Sequence, residues 1–183
     1  DHAAALQEKW GTATGQLWLV GRHRLLCGDA TNMEDVLRVL GGAKPMLMVT
    51  DPPYGVEYDP EWRWREGLNA ENGTGRREFM SKDNRVDWSD AWRLFPGDVA
   101  YTWSPGGDQV ILTGLAIQSA GFEIRAGVMW RKPHFPISRG HYTYQHEPCW
   151  YAVRKGAQAY WMGPVKESTV WDIPLDKSVE GGH

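Results

Sequence analysis

Cysteines and long apolar runs are both scarce in this sequence. Its two cysteines, Cys27 and Cys149, are too few and too isolated for a disulfide framework or a cysteine-based zinc site. No apolar stretch approaches the roughly 20 residues that a membrane-spanning helix needs. The first residues, DHAAALQEKW, do not show a basic segment followed by an apolar one, as a signal peptide would. We therefore expect a cytoplasmic protein that does not enter the membrane.

A surplus of charge of one sign is also missing. The formal net charge of −3 argues against a general binder of polyanions, although it allows a local basic surface. The 183 residues, 42% of them hydrophobic, are enough for one domain with a proper core, so we treat residues 1–183 as a single domain. Tryptophan, in contrast, is abundant with eleven residues, which we interpret mainly as packing groups although aromatic rings also stack on bases.

Strands and helices alternate along most of the chain. The segment GQLWLVGRHRLLCGDAT predicts two short strands around a tight turn at Gly21 and Arg22. MEDVLRVL has apolar residues at helical spacing, and PMLMVT after it is typical of a buried strand. The rhythm continues with a helix in DWSDAWRLF, a strand in DVAYTWS, a helix in DQVILTGLAIQSAG, and strands in FEIRAGVMWRK and EPCWYAVRKG. This order predicts an α/β fold with a layered sheet.

The stretch MVTDPPYGVEYD places a carboxylate, two prolines and an aromatic ring directly after a predicted strand. Ligands of open α/β sheets bind at the carboxyl ends of strands. One reaction to consider at such a position is the transfer of a methyl group to an exocyclic amino nitrogen of a base. That nitrogen is a poor nucleophile because its lone pair is delocalised into the ring of the base. Asp51 and the carbonyl of Pro52 can each accept one of its N–H groups, and the proline pair fixes the backbone between them. Tyr54 offers a stacking face for an extruded base, and Gly55 lets the chain leave without crowding it.

DPPYG after an apolar strand resembles motif IV of the amino-group DNA methyltransferases, and Asp in its first position is similar to the N6-adenine type. The resemblance extends into LLCGDAT, DVAYTWS and RGHYTYQHEPCWYAVRKG and covers most of residues 16 to 183. It implies a Rossmann-like, S-adenosylmethionine-dependent methyltransferase sheet in the permuted β-type order, where the catalytic motif precedes the glycine-rich cofactor motif. The implied reaction is site-specific methylation of the N6 amino group of a flipped adenine in duplex DNA, as in restriction-modification.

The resemblance also assigns roles to individual residues. It implies a catalytic role for four consecutive residues, Asp51, Pro52, Pro53 and Tyr54. It implies contacts with S-adenosylmethionine for Asp51 and for Asp29, which belongs to the GD that follows the first strands. Asp29 could instead cap the next helix, because an aspartate before ATN is also typical of a helix start.

One part of the family pattern is missing from the sequence. No F-x-G-x-G loop for the methionine end of the cofactor precedes Asp51 or follows it, and GGDQ at 106–109 is too short and wrongly placed. The final GGH looks like the start of a segment that continues in the family. We therefore expect the chain to be the N-terminal part of a catalytic domain, truncated at its C-terminus, with an incomplete cofactor site.

The first of two irregular stretches, residues 60–87, is predicted to face DNA. Long irregular loops in compact domains are often functional. This one interleaves tryptophans with arginines, among them Arg76 and Arg77, and guanidinium groups suit phosphates and guanine edges. Its glutamates also allow the interpretation of a solvated loop of mixed charge.

The second irregular stretch, residues 131–147, combines basic, aromatic and glycine residues. Its three histidines match no established zinc pattern, so we predict no metal site. In the family that the chain resembles, this region lies near the target base and the DNA. The resemblance therefore implies that Arg139 and His146, together with Gly55 of the DPPYG motif, contact the substrate.

Other functions remain open at this stage. The same acceptor chemistry would serve cytosine N4, an RNA base or a glutamine amide in a protein, although those enzymes more often begin the motif with Ser or Asn. A non-catalytic DNA-binding partner that kept the fold is a third interpretation, supported by the missing glycine-rich loop. The sequence does not decide the recognised DNA site or the oligomeric state, for which a homodimer is one option.

Overall fold

The computed structural model describes residues 2–55, 85, 87–134, 141–164 and 166–174. Its elements are, in chain order, α1 (His2–Trp10), β1 (Leu17–Val20), β2 (His23–Leu26), α2 (Met33–Leu40), β3 (Leu47–Thr50), α3 (Ser89–Leu94), β4 (Val99–Trp103), α4 (Asp108–Ser119), β5 (Phe122–Arg131), β6 (His146–Arg154) and β7 (Val170–Trp171). Every predicted strand and helix is present, with its ends moved by a few residues, whereas α1 and β7 were not predicted. None of the helices in this described part is both long and apolar enough to cross a membrane.

The main sheet has five strands in the order β3-β4-β6-β5-β7. β3 is parallel to β4, β6 is antiparallel to both β4 and β5, and β7 is parallel to β5. The sheet is therefore mixed, and α3 lies in the crossover between the parallel strands β3 and β4. This arrangement confirms the predicted α/β class.

The N-terminal hairpin forms a separate two-stranded sheet. β1 and β2 pair antiparallel around the predicted two-residue turn, where Gly21 adopts a φ of 59° that glycine reaches without strain. The next element, α2, begins at Asn32, whose side chain accepts hydrogen bonds from the backbone N–H groups of Glu34 and Asp35. It ends at Gly41, which adopts the left-handed conformation that glycine reaches without strain.

The main core lies where α3 and α4 pack on one face of the sheet. Its buried residues are Trp92, Phe95, Ala100, Ala116, Ile117, Ala120, Phe122 and Ala152. Burying a large apolar side chain contributes about 1.5–3 kcal/mol, so the two aromatic residues Trp92 and Phe95 do much to hold α3 in place. Trp88, at the start of that helix, packs against the same cluster.

The prediction of a buried strand at PMLMVT is wrong for one of its faces. β3 forms an edge of the main sheet, and its side chains Leu47 and Val49 are 50% and 61% exposed. Met48, which points to the opposite face, packs against the main core. An apolar run predicts burial on both faces, but the sequence does not say which face the helices cover.

The sheet face opposite to α3 and α4 carries a group of aromatic rings. Tyr101 and Tyr151 are stacked with their ring centroids 5.0 Å apart, and the ring of Trp171 lies 6.1 Å from that of Tyr101. Together with Trp161 these rings line a recess of about 550 Å³.

Candidate active site

The DPPYG motif lies at the carboxyl end of β3, at a point where three strands meet. β3 and β4 are parallel and pair Thr50 with Thr102, so their carboxyl ends lie at the same edge of the sheet. β6 runs in the opposite direction and pairs Cys149 with Trp103, which brings the first residues of β6 to this edge. We call residues Asp51–Gly55 the corner.

A hydrogen bond between its own side chains closes the corner. The hydroxyl of Tyr54 donates to Oδ1 of Asp51. Asp51 is exposed, whereas Tyr54 is half-buried. An ionised carboxylate has about four acceptor positions on its two oxygens, so the bond from Tyr54 leaves Asp51 able to accept from a further donor.

The hydroxyl of Tyr54 is held in its neutral form. Burial raises the pKa of Tyr54 far above its usual range, and the hydrogen bond to Asp51 and the negative charges of Asp51 and Glu147 raise it further. Each of these influences disfavours a tyrosinate, because ionisation would place a second negative charge beside Asp51. Tyr54 is therefore a hydrogen-bond donor, and not a base, throughout the physiological range of pH.

The backbone of the corner is restricted at three of its five positions. Pro52 and Pro53 have fixed φ angles and no N–H group, so they present carbonyl oxygens and no backbone donors. Gly55 follows with a φ of 67°, in the left-handed region where a side chain would introduce strain. This backbone conformation explains why position 55 is occupied by a glycine.

Trp88 contacts the corner from outside, although sequence reasoning missed it. Its indole N–H donates to the carbonyl oxygen of Pro53 across 2.8 Å. The guanidinium group of Arg85 lies over the same indole ring, 5.1 Å from its centroid. The sequence showed only a tryptophan within a predicted short helix, and no local pattern relates it to a proline 35 positions earlier.

Two residues at the beginning of β6 lie within electrostatic reach of the corner. Cys149 is buried, and this burial raises the pKa of its thiol to about 12, with a smaller contribution from the charge of Asp51. A neutral buried thiol is a poor nucleophile. Glu147 forms an ion pair with Lys132. These groups shape the electrostatic surroundings of Asp51 and Tyr54, and neither is suited to covalent chemistry.

Asp29 lies in the turn between β2 and α2. Its Oδ1 accepts hydrogen bonds from the backbone N–H and the hydroxyl of Thr31, at 2.8 and 2.7 Å, and its own N–H donates to Oδ2 of Asp35 across 2.9 Å. The alternative of a helix cap is wrong for this residue, since Asn32 caps α2. Asp29 borders a recess of about 270 Å³ between β2 and α2.

The residues predicted to contact DNA are only partly described. Arg76, Arg77 and Arg139 lie outside the described residues. Gly55 belongs to the corner, and His146 is exposed at the first position of β6, with its ring edge-on to Tyr144 at 6.0 Å. His146 and Gly55 therefore lie at the same edge of the main sheet.

No grouping of side chains in the described ranges suggests a metal centre. Among those residues, no three His, Cys, Asp or Glu side chains are arranged to hold a metal ion. The residues that line the aromatic recess do not include Asp51 or Tyr54. The chemistry of acceptors and stacking groups therefore concentrates at the corner.

Comparisons with known proteins give little guidance. No protein-family model and no curated protein matches the chain. Among solved structures, the crystal structure of the M1.HpyAVI-SAM complex matches with a TM-score of 0.47 and 14% identity over 78% of this chain and 62% of the other. The crystal structure of M1.HpyAVI matches with a TM-score of 0.47 and 16% identity over 76% and 61%. The chain thus spans about three-fifths of those chains, and likenesses at this level do not decide its activity.

Proposed function

We propose that this chain carries the catalytic corner of an S-adenosylmethionine-dependent DNA methyltransferase that acts on the N6 amino group of an adenine flipped out of duplex DNA. The observation that carries the proposal is the corner itself. A carboxylate, a proline-fixed carbonyl and a neutral tyrosine lie together at the carboxyl edge of a mixed α/β sheet.

The corner suits an amino group because it offers acceptors at fixed positions. Asp51 accepts one N–H of the adenine amino group, and the carbonyl of Pro52 accepts the other. Two acceptors on one nitrogen favour a tetrahedral arrangement, in which the lone pair leaves the ring system and becomes available for bonding. Fixed acceptors of this kind need no reorganisation during the reaction, which is the usual source of large catalytic effects.

Tyr54 contributes in two ways. Its ring provides a stacking face for the flipped base. Its hydroxyl, through the bond to Oδ1, fixes the orientation of the Asp51 carboxylate. The proton of this hydrogen bond stays on the tyrosine, whose pKa is raised.

The chemical character of Asp29, Asp51 and the recess beside Asp29 suits S-adenosylmethionine. Asp29 and Asp51 are exposed carboxylates that suit a positively charged ligand with hydroxyl and amino donors. The recess beside Asp29 also has apolar walls, including Leu26 and Val36. The cofactor, when bound, supplies a methyl group on a positively charged sulfur. We assign its contacts to Asp29 and Asp51.

The proposal is tested by incubating the protein encoded by the complete reading frame with labelled S-adenosylmethionine and duplex DNA of mixed sequence. The DNA is then digested to nucleosides, which are separated by liquid chromatography and identified by mass spectrometry. We expect N6-methyldeoxyadenosine. N4-methyldeoxycytidine would correct the base, and label in protein or RNA would correct the substrate. DNA binding without any label would favour the non-catalytic interpretation.

A further inference from the structure

We propose that Trp88 is a positioning residue for the corner, acting through the hydrogen bond from its indole N–H to the carbonyl of Pro53 at 2.8 Å. This inference rests on the proposed function, since it concerns the geometry in which the corner meets the amino group. Trp88 itself is not assigned a contact with either substrate.

The corner needs a donor from elsewhere in the chain. A proline fixes φ but leaves ψ free, and it supplies no N–H to fasten its own peptide. The Pro53 carbonyl belongs to the peptide plane that joins Pro53 to Tyr54. A bond that fixes this plane therefore sets the direction in which the Tyr54 side chain leaves the backbone. It also sets the angle between that side chain and the Pro52 carbonyl.

Trp88 is well placed to act as a fixed donor. It is half-buried and packs against the main core. Its carbonyl accepts the N–H of Trp92 across 3.1 Å, so its backbone belongs to the first turn of α3. The guanidinium group of Arg85 lies over the ring. The hydrogen bond thus couples the proline pair, which has no N–H groups of its own, to a helix that the core holds in place.

Trp150 provides a matched control. It too is half-buried and packs against the main core, and its indole N–H also donates to a backbone carbonyl, that of Val110 across 3.2 Å. Val110 lies in α4 and not in the corner. Replacing either tryptophan with phenylalanine removes one indole N–H and a similar amount of packing, but only Trp88→Phe removes a bond to the corner.

The experiment compares kcat and KM for Trp88→Phe and Trp150→Phe in the protein encoded by the complete reading frame. A third variant carries β-(3-benzothienyl)alanine at position 88, which keeps the bicyclic shape and replaces the N–H with sulfur. A displacement of about 1 Å at a reacting centre can cost about 100-fold in rate. We expect kcat to fall by about 10- to 100-fold in both position-88 variants. KM for S-adenosylmethionine should stay unchanged, and Trp150→Phe should keep the wild-type kcat.

Three outcomes would overturn the inference. The first is a wild-type kcat in the benzothienyl variant, which would mean that the shape of the ring matters and its N–H does not. The second is an equal loss in Trp150→Phe, which would indicate general destabilisation. The third is a rise in KM without a fall in kcat, which would place Trp88 in binding.

A second measurement separates this inference from the proposed function. 3-Fluorotyrosine placed at position 54 reports on the orientation of that ring by fluorine NMR, whether or not the protein methylates anything. We expect a single resonance in the wild type and in Trp150→Phe, and a broadened or divided resonance in both position-88 variants. An unchanged resonance in the position-88 variants would contradict the positioning role, whereas a wild type that methylates no base would contradict only the proposed function.

Discussion

The carboxylate of Asp51 has two partners in the proposed reaction, the hydroxyl of Tyr54 and the amino group of the base. Asp51→Ala removes the acceptor for both. Losing one positioned transition-state contact typically costs about 10²- to 10³-fold in kcat, and we expect a loss of that size with the fold intact. Steady-state kinetics measures the loss, and circular dichroism checks the fold. Asp90→Ala, which removes an exposed carboxylate on α3 that is paired with Arg93, is the control. Turnover near the wild-type value in Asp51→Ala would contradict the assignment of the corner.

Two substitutions of Tyr54 separate the effect of base stacking from that of the hydrogen bond to Asp51. Tyr54→Phe keeps the ring and loses the bond to Asp51, whereas Tyr54→Ala loses both. Stacking of a base on an aromatic ring is worth about 1–3 kcal/mol, so we expect Phe to retain much of the activity and Ala to lose most of it. The measurement is kcat/KM for DNA in the two variants. Equal values for Phe and Ala would mean that the ring does not hold the base.

Cys149 allows a prediction of pH dependence. Burial raises the pKa of its thiol from 9.0 to about 12, so the folded chain holds this proton more tightly than the unfolded chain does. The resulting stability is fully present below pH 9.0 and is lost as the pH rises from there toward 12.

We therefore expect the difference in unfolding free energy between wild type and Cys149→Ala to become smaller above about pH 9. Urea titrations at several pH values measure it. A constant difference between wild type and Cys149→Ala over this pH range would contradict the prediction.

At the scale of elements, Asp87 forms a hydrogen bond just before α3. Oδ1 of Asp87 accepts the backbone N–H of Ser89 across 2.8 Å, and this bond is the main reason that the pKa of Asp87 is lowered. The N-cap of α3 is Trp88, so Asp87 lies one residue before the cap position. Losing one hydrogen bond of this kind typically costs about 1 kcal/mol. We expect Asp87→Ala to lower the unfolding free energy by about that amount, and Asp87→Asn, which keeps an acceptor oxygen, to lower it by much less.

The same hydrogen bond predicts that stability depends on acidic pH. The folded pKa of Asp87 lies below 3.8, the ordinary value for an aspartate in an unfolded chain. Its contribution to stability is therefore present above pH 3.8 and is lost as the pH falls through the lowered folded value. Thermal melts of the wild type and of the two variants, at neutral and at acidic pH, measure both effects. Equal stability of Ala and Asn at neutral pH would mean that the hydrogen bond from Ser89 to position 87 does not stabilise the start of α3.

The elements differ in how far the sequence predicts them. Those with strong periodicity or clear ends were predicted, because local spacing and capping residues determine them. β7 was not, since Val170–Trp171 forms a strand only by pairing with Met129 and Trp130 of β5, far away in the chain. The corner was predicted because five adjacent residues carry its chemistry. Trp88 was not, because its relation to Pro53 arises only when the chain folds.

At the scale of the whole molecule, β3 is an edge of the main sheet, and among the described residues no other strand pairs with its outer side. Its side chains Leu47 and Val49 lie on the sheet face opposite to α3 and α4 and are 50% and 61% exposed. Edge strands have unpaired backbone groups that can pair with another chain, and proteins usually protect them with charges or turns. An apolar edge of this kind favours association between copies of the chain.

We therefore expect the isolated 183-residue chain to associate with itself as its concentration rises. Replacing both Leu47 and Val49 with lysine should shift the chain toward the monomer, because two adjacent charges oppose pairing at that edge. Leu19→Lys, at a position in β1 that is 71% exposed, adds charge away from the main sheet and should leave the association unchanged. Sedimentation velocity over a range of concentrations measures the distribution of species. A wild-type chain that stays monomeric throughout would contradict the prediction, and an equal effect of Leu19→Lys would show that net charge, and not the edge of β3, governs association.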